Sequence, residues 1–213
     1  MSGFILPLLP LLAVAAAYLV GSLSFAVIVS RVMGLNDPRT YGSKNPGATN
    51  VLRSGNKPAA AVTLLLDGCK GWLPVMLVKW FGQPYGLEDG TLALAGLAAF
   101  LGHLYPVFFR FRGGKGVATA LGVILAFSWI LGLASALTWA IIAGFFRYAS
   151  LASLATAVFA PVYYVFGGGV AWYMERSILI ALALMAMLLI ERHSANVGRL
   201  IKGTEPRLGK RKI

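Results

Sequence analysis

The stretch FFRFRGGKGVATALGVILAFSWI, residues 108–130, joins two kinds of chemistry that seldom meet. From Arg110 to Gly116 it carries three cations and three glycines in seven residues. From Val117 onward it is hydrocarbon. Glycine lets backbone N–H groups approach an anion with no side chain in the way. The loop then opens a helix, whose first-turn N–H groups and dipole also favour negative charge. Gly113, Gly114 and Gly116 with Lys115 therefore read as a phosphate loop at the lip of a membrane, and the plainer alternative is a tight turn between helices. The loop is not a Walker A sequence, because Phe109 and Gly116 stand where glycine and Ser or Thr are required.

The rest of the chain agrees with the apolar half. Its 213 residues are 58% hydrophobic and 12% charged, with a mean hydropathy of +0.76. Soluble domains carry about twice that charge fraction. The composition predicts an all-α, polytopic membrane helix bundle, with residues 1–213 as a single domain. The lone cysteine, Cys69, excludes a disulfide framework and a cysteine-rich metal site. The N-terminal MSGFILPLLPLLAVAAAYLVGSLSFAVIV lacks a basic start and runs too long for a signal peptide, so it reads as a retained first helix. The net charge of +12 fits cytoplasmic loops rich in Lys and Arg, and no soluble basic domain is available for nucleic acid.

Apolar runs predict helices over Phe4–Val32, Pro58–Phe81, Thr91–Phe109, Leu151–Phe166 and Trp172–Ile190. The thirty-residue run Val117–Phe146 exceeds one span, so it is split near Ser128–Gly132 into two shorter helices. Gly167–Gly169 reads as a turn, and the tail from Arg192 as polar and basic. Seven helices place the N-terminus outside and the C-terminus inside. Arg39, Lys44, Arg53, Lys57, Arg110, Arg112, Lys115, Arg147 and most of the tail then face the cytoplasm, while Glu88, Asp89 and Glu175 face outward. A five-helix count keeps the same polar segments inside. No internal repeat points to an inverted-repeat transporter.

Gly34–Lys57, Arg110–Gly116 and the tail can thus converge at one inner interface. Within Gly42–Arg53, the neutral donors Ser43, Asn45, Thr49 and Asn50 crowd beside Lys44 and Arg53, a mixture suited to a phosphate ester or to a solvated turn. Asp67 and Lys70 lie three apart on one helix face, as a functional pair or a self-neutralising one. Lys79 is expected to snorkel to the outer interface. His103 is placed about two turns before the cytoplasmic end of its helix, where Pro106 turns it inward or it simply bonds within the bundle. His193 lies just beyond the last helix. Two histidines without a carboxylate cluster argue against a metal site.

Four motifs, GSKNPGATNVLR, DGCKG, GHLYPVFFRFRGGKGVAT and RHSANVGRLIKGTEP, occur in this order between apolar helices. Together they resemble the bacterial acyl-phosphate:glycerol-3-phosphate acyltransferases (the PlsY type). One departure is Ser24 in GSLSFAV, where that family usually has proline at a helix bend. The resemblance implies transfer of a fatty acyl group from acyl phosphate to glycerol 3-phosphate, without metal or coenzyme. It implies a multi-pass protein of the bacterial cytoplasmic membrane, with its site facing the cytoplasm and an acyl-phosphate-producing enzyme upstream. By motif position it carries Ser43 and Arg53 from the first cytoplasmic motif, Lys115 and its glycines from the second, and His193, Asn196 and Glu205 from the third. The H-x-x-x-x-D signature of the other large acyltransferase class is absent: Phe108 and Gly198 stand five residues after the two histidines. With no strong protein base in sight, a substrate phosphate could take the proton. Two other functions remain open at this point, a carrier for organic phosphates and a non-catalytic lipid-binding subunit.

Overall fold

The structure is a computed structural model, and it describes residues 6–209. Among the described residues it is helical, with one isolated bridge between Gly168 and Trp172. The helices are α1 (Leu9–Gly21), α2 (Phe25–Val32), α3 (Ala48–Leu52), α4 (Lys57–Phe81), α5 (Asp89–Leu104), α6 (Val117–Phe127), α7 (Trp129–Phe146), α8 (Ala149–Gly167), α9 (Arg176–Arg192) and α10 (Ser194–Ile201). The expected start of the first helix at Phe4 lies outside the described residues.

The first expected helix is in fact two, bent by 44° at Ser22–Ser24. Ser22 Oγ donates back to the Tyr18 carbonyl at 2.8 Å, a competitor for the helical ladder. The bend includes Ser24, the position where the resembled family places proline, but the back-bonding hydroxyl is that of Ser22, two residues earlier. It also leaves the Leu23 carbonyl free to accept Lys70 Nζ at 2.6 Å.

Small residues set the helix crossings, as is usual where backbones must approach closely in a membrane. A methyl group at Gly21 or Gly102 would strike the backbone of the partner helix, so α1 and α5 cannot separate to admit one. Gly71 and Gly122 play the same part between α4 and α6, against the carbonyls of Thr119 and Gly68. The core fills the remaining space with Phe100, Leu104, Val123 and Leu131, all fully buried. Phe145 and Phe166 by contrast are 86% and 81% exposed, so the apolar surface of α7 and α8 faces outward.

The long apolar run does divide, at Ser128, whose hydroxyl caps α7 by accepting from the Leu131 N–H. Among the described residues four helices are long and apolar enough to cross a membrane, and six spans result if each bent pair crosses as one. The 11 residues of α6 reach only ~16 Å, short of a hydrocarbon core of about 30 Å. Lys79 is not simply a snorkelling cation. Its ammonium donates to the Ala126 and Phe127 carbonyls at 3.0 and 3.3 Å, capping the end of α6. The last expected span begins at Arg176 rather than Trp172, because Trp172 stacks on Tyr164 and donates to its carbonyl at 2.9 Å. The tail is not merely a basic coil, since α10 continues after a 57° bend. It is too short and too polar to be read as such from hydropathy.

Candidate active site

Three segments meet at one end of the bundle. The 110–116 loop leaves α5 at Pro106 and re-enters the helical layer at α6. The α9–α10 bend brings Asn196 to it, and Lys115 Nζ donates to Asn196 Oδ1. Asn196 Nδ2 in turn donates to Glu205 at 2.6 Å, and Glu205 also accepts from Ser150 and Arg199, each at 2.7 Å. Glu205 is thus the anchor of this chain rather than its reacting end. Burial opposes its ionisation, yet the hydrogen bonds from Ser150, Asn196 and Arg199 hold its carboxyl below the usual range.

Lys115 is half-buried, and that burial is the main reason its ammonium is lowered to about 8. Glu205 opposes the shift, while Arg199, Arg53 and Arg192 add to it. A lysine that feels the charges of three arginines and one already engaged carboxylate sits in a field of excess positive charge. An anion would relieve it.

Arg53 comes from the first motif. It is exposed, it forms no ion pair among the described residues, and its side chain passes close to Gly42. Gly42 has φ +59, which fits a glycine and lets the loop fold over Arg53. Ser43 is half-buried in the same turn, and Asn45 Nδ2 donates to its carbonyl at 3.0 Å. Asn50 belongs to the scaffold: its side chain accepts from the Ser43 N–H at 3.0 Å and donates to the carbonyls of Pro38 and Tyr41 at 2.6 and 3.2 Å. Thr49 is exposed and its hydroxyl bonds to nothing among the described residues.

The glycine loop differs from the sequence expectation. Gly114 N–H does not face an open anion site, since it donates to the His103 carbonyl at 3.2 Å. Added methyl groups at Gly113 and Gly114 would meet protein, namely the His103 carbonyl and the His103 ring with the Pro46 carbonyl. Gly116 holds φ +83 with its open face against Phe100. These glycines permit close packing of the loop on its own scaffold. The donors left for an anion are the N–H groups of Gly113, Lys115, Gly116, Val117, Ala118 and Thr119, which find no acceptor among the described residues. The helix start, together with the Gly113 N–H, is the electropositive feature, and Gly114 is the glycine whose N–H is already engaged.

Behind the loop lies a buried polar cluster. Asp67 approaches Lys70 at 2.8 Å and His103 Nδ1 at 3.6 Å, and His103 Nδ1 also meets Thr119 Oγ1 at 3.1 Å. The Asp67–Lys70 approach is off-axis, an ion pair more than a directed hydrogen bond. All three are buried behind the loop, and the His103 carbonyl accepts from the Gly114 N–H, so of the two readings open for them the arrangement favours support of the loop. His103 has one carboxylate neighbour, Asp67, and it sits in the last turn of α5 because Pro106 ends the helix earlier than expected. No group of three or more metal-ligating side chains occurs among the described residues.

His193 is buried at the bend between α9 and α10, with Nδ1 2.8 Å from the Leu189 carbonyl. A carbonyl only accepts, so Nδ1 carries the proton and Nε2 keeps its lone pair. Burial first, and then Lys115, lower the imidazole to about 4. The residue missed in the sequence is Arg192. Its guanidinium donates to the Gly113 and Gly114 carbonyls at 3.0–3.2 Å and lies 5.6 Å from the Tyr105 ring, clamping the loop. Its place one residue before His193, at the end of an apolar helix, was the available signal.

The family described as glycerol-3-phosphate acyltransferase matches residues 11–203. The glycerol-3-phosphate acyltransferase of Albidiferax ferrireducens is 72% identical over 202 residues, 95% of this chain and 90% of that one. That of Bordetella petrii is 61% identical over 199 residues, 93% of each chain. Among solved structures, the glycerol 3-phosphate form of PlsY (YgiH), an integral membrane glycerol 3-phosphate acyltransferase, superposes with a TM-score of 0.85 at 40% identity, covering 94% of this chain and 96% of that one. The lysophosphatidic acid form gives 0.83 at 39% identity, covering 94% and 95%. The three-segment site therefore lies in an enzyme, and the chain belongs to the glycerol-3-phosphate acyltransferase family.

Proposed function

We propose that this protein transfers a fatty acyl group from acyl phosphate to the primary hydroxyl of glycerol 3-phosphate, giving 1-acylglycerol 3-phosphate and inorganic phosphate. One observation supports the reading above the rest. Lys115, in the combined positive field of Arg53, Arg192 and Arg199, adjoins the unpaired N–H groups at the start of α6. Both substrates carry phosphate, and such a centre can hold it.

In the reaction the glycerol hydroxyl oxygen attacks the acyl carbonyl carbon. The bond from that carbon to the phosphate oxygen then breaks, and phosphate leaves with the electron pair. The site's task is to orient the hydroxyl and stabilise negative charge on the carbonyl oxygen and leaving phosphate. Lys115 and Arg53 bind the phosphates, Ser43 and Asn196 orient the reacting groups, and His193 Nε2 accepts a hydrogen bond. A histidine near 4 is a weak base at neutral pH. A phosphate monoester with a second pKa of about 6 is the stronger one, and it takes the hydroxyl proton. Asn45 and Asn50 shape the first loop, Thr49 offers its exposed hydroxyl to substrate, and Gly113, Gly114 and Gly116 seat the second. Asp67, Lys70 and His103 support the second loop from beneath.

We further place the whole of residues 1–213 in one domain of the bacterial cytoplasmic membrane. It crosses seven times, with α6 as a short crossing, the N-terminus outside and the C-terminus and site in the cytoplasm. The acyl donor is then a product of an enzyme that makes acyl phosphate. Donor choice tests the reading. Purified protein with labelled glycerol 3-phosphate is expected to form lipid product from acyl phosphate and almost none from acyl-CoA. Robust transfer from acyl-CoA at the same concentration would overturn it.

A further inference from the structure

The start of the 110–116 loop lines a cleft of about 370 Å³ with Arg39, Phe108 and Phe109; its arginines, Arg110 and Arg112, make no side-chain bond to Lys115, Asn196 or Glu205. Cation and aromatic alternate here as FFRFR, residues 108–112. The backbone that presents them is unusual: Arg110 and Phe111 hold φ 54 and 57, a left-handed pair in residues that carry side chains. The Phe111 N–H donates to the Pro106 carbonyl at 2.9 Å and the Arg112 N–H to the Phe109 carbonyl at 3.1 Å, which fixes the turn. As a result Phe108 and Phe111 project outward, 58% and 59% exposed.

The charges are unbalanced. Asp37 pairs with Arg39 at 2.6 Å, and the Arg39 guanidinium lies 5.8 Å from the Phe109 ring centre. Arg110 and Arg112 have no acidic partner among the described residues. A ligand for this cleft must therefore be an anion. The depth of the cleft selects its source. The candidate span Asp89–Phe109 ends at the cleft wall, so the arginines sit where hydrocarbon gives way to headgroups. Phenylalanine rings bury at the boundary between headgroups and acyl chains, and arginine forks bind phosphate oxygens in pairs.

We propose that this turn is a binding site for the headgroup of an anionic membrane phospholipid, with Phe108 and Phe111 against the upper acyl chains and Arg110 and Arg112 on the phosphate. It is a second phosphate site, facing the bilayer surface rather than the reaction, and its occupant is a resident lipid rather than a soluble substrate.

Native mass spectrometry of the detergent-solubilised full chain tests this. The probes are phosphatidylglycerol, phosphatidylcholine and inorganic phosphate. The wild type is expected to retain phosphatidylglycerol in preference to phosphatidylcholine, and millimolar inorganic phosphate should not displace it. Each arginine near an anionic surface contributes about fivefold in affinity, so R110Q/R112Q should weaken phosphatidylglycerol retention about twenty-five-fold. Phe111→Ser, with both arginines kept, should weaken both lipids. Arg207→Gln, a cation elsewhere on the same chain, should change nothing. Equal retention of the two lipids by the wild type, or unchanged selectivity in R110Q/R112Q, would overturn the proposal. Displacement by inorganic phosphate would also overturn it, by showing a free-phosphate site.

Discussion

Lys115 is the residue on which the account turns, and its burial gives a pH signature. Its ammonium titrates near 8, so charge at the site is present below that pH and is lost as pH rises through it. Because kcat/KM reports groups of the free enzyme, its profile should fall above about pH 8. Arginine stays charged across this range, so whatever activity Lys115→Arg retains should lack that alkaline limb. A limb unmoved in the arginine variant would assign the titration to another group. The histidines make a second comparison. Loss of a true general base typically costs about 10²–10⁴-fold. If substrate phosphate takes the proton, His103→Gln and His193→Gln should each keep measurable turnover and the acidic limb. Disappearance of that limb in either variant would identify the base as that histidine. Both histidines were evident in the sequence, but their environments were not. The Asp67 contact of His103 and the Leu189 contact of His193 depend on how helices cross and bend.

At the scale of elements, the 110–116 loop is shaped by what lies on either side of it. Arg192 pulls on its carbonyls from one side, and His103, backed by Asp67 and Lys70, fills the other. Removing one member of a buried ion pair typically costs about 3–5 kcal/mol, whereas replacing both with apolar groups is often tolerated. Asp67→Leu alone should therefore lower the thermal midpoint in detergent more than the Asp67→Leu/Lys70→Met double variant does. Additive losses would mean the two act separately. Much of this level was legible: the split at Ser128 followed from the length of the run, and the meeting of the polar segments followed from charge bias. The break at Ser22–Ser24 and the helix α10 were not. The first depends on a serine hydroxyl competing with the backbone, the second on eight residues too polar to register as apolar. The glycines were legible only in part, for a related reason. Sequence shows that a backbone must approach something closely, but not whether that something is an anion or the His103 carbonyl.

At the scale of the whole molecule, the account requires one face to hold every substrate-binding segment. Cysteines introduced at Ser54 and Arg207 in a Cys69→Ala background should label only from the cytoplasm, and one at Asp89 only from outside. Labelling of Ser54 and Arg207 from opposite faces would break the single-face arrangement. The central claim is that these segments form one centre, built on Lys115, that joins the two phosphorylated substrates. The most direct measurement counts both products from purified protein in lipid nanodiscs, supplied with labelled glycerol 3-phosphate and acyl phosphate. The account predicts 1-acylglycerol 3-phosphate and inorganic phosphate in equal amounts from the wild type. In Lys115→Ala both should fall together by at least about tenfold, the effect of losing roughly 1.5–3 kcal/mol of charged hydrogen bonding. Phosphate release without acylated product, or full activity in Lys115→Ala, would contradict it.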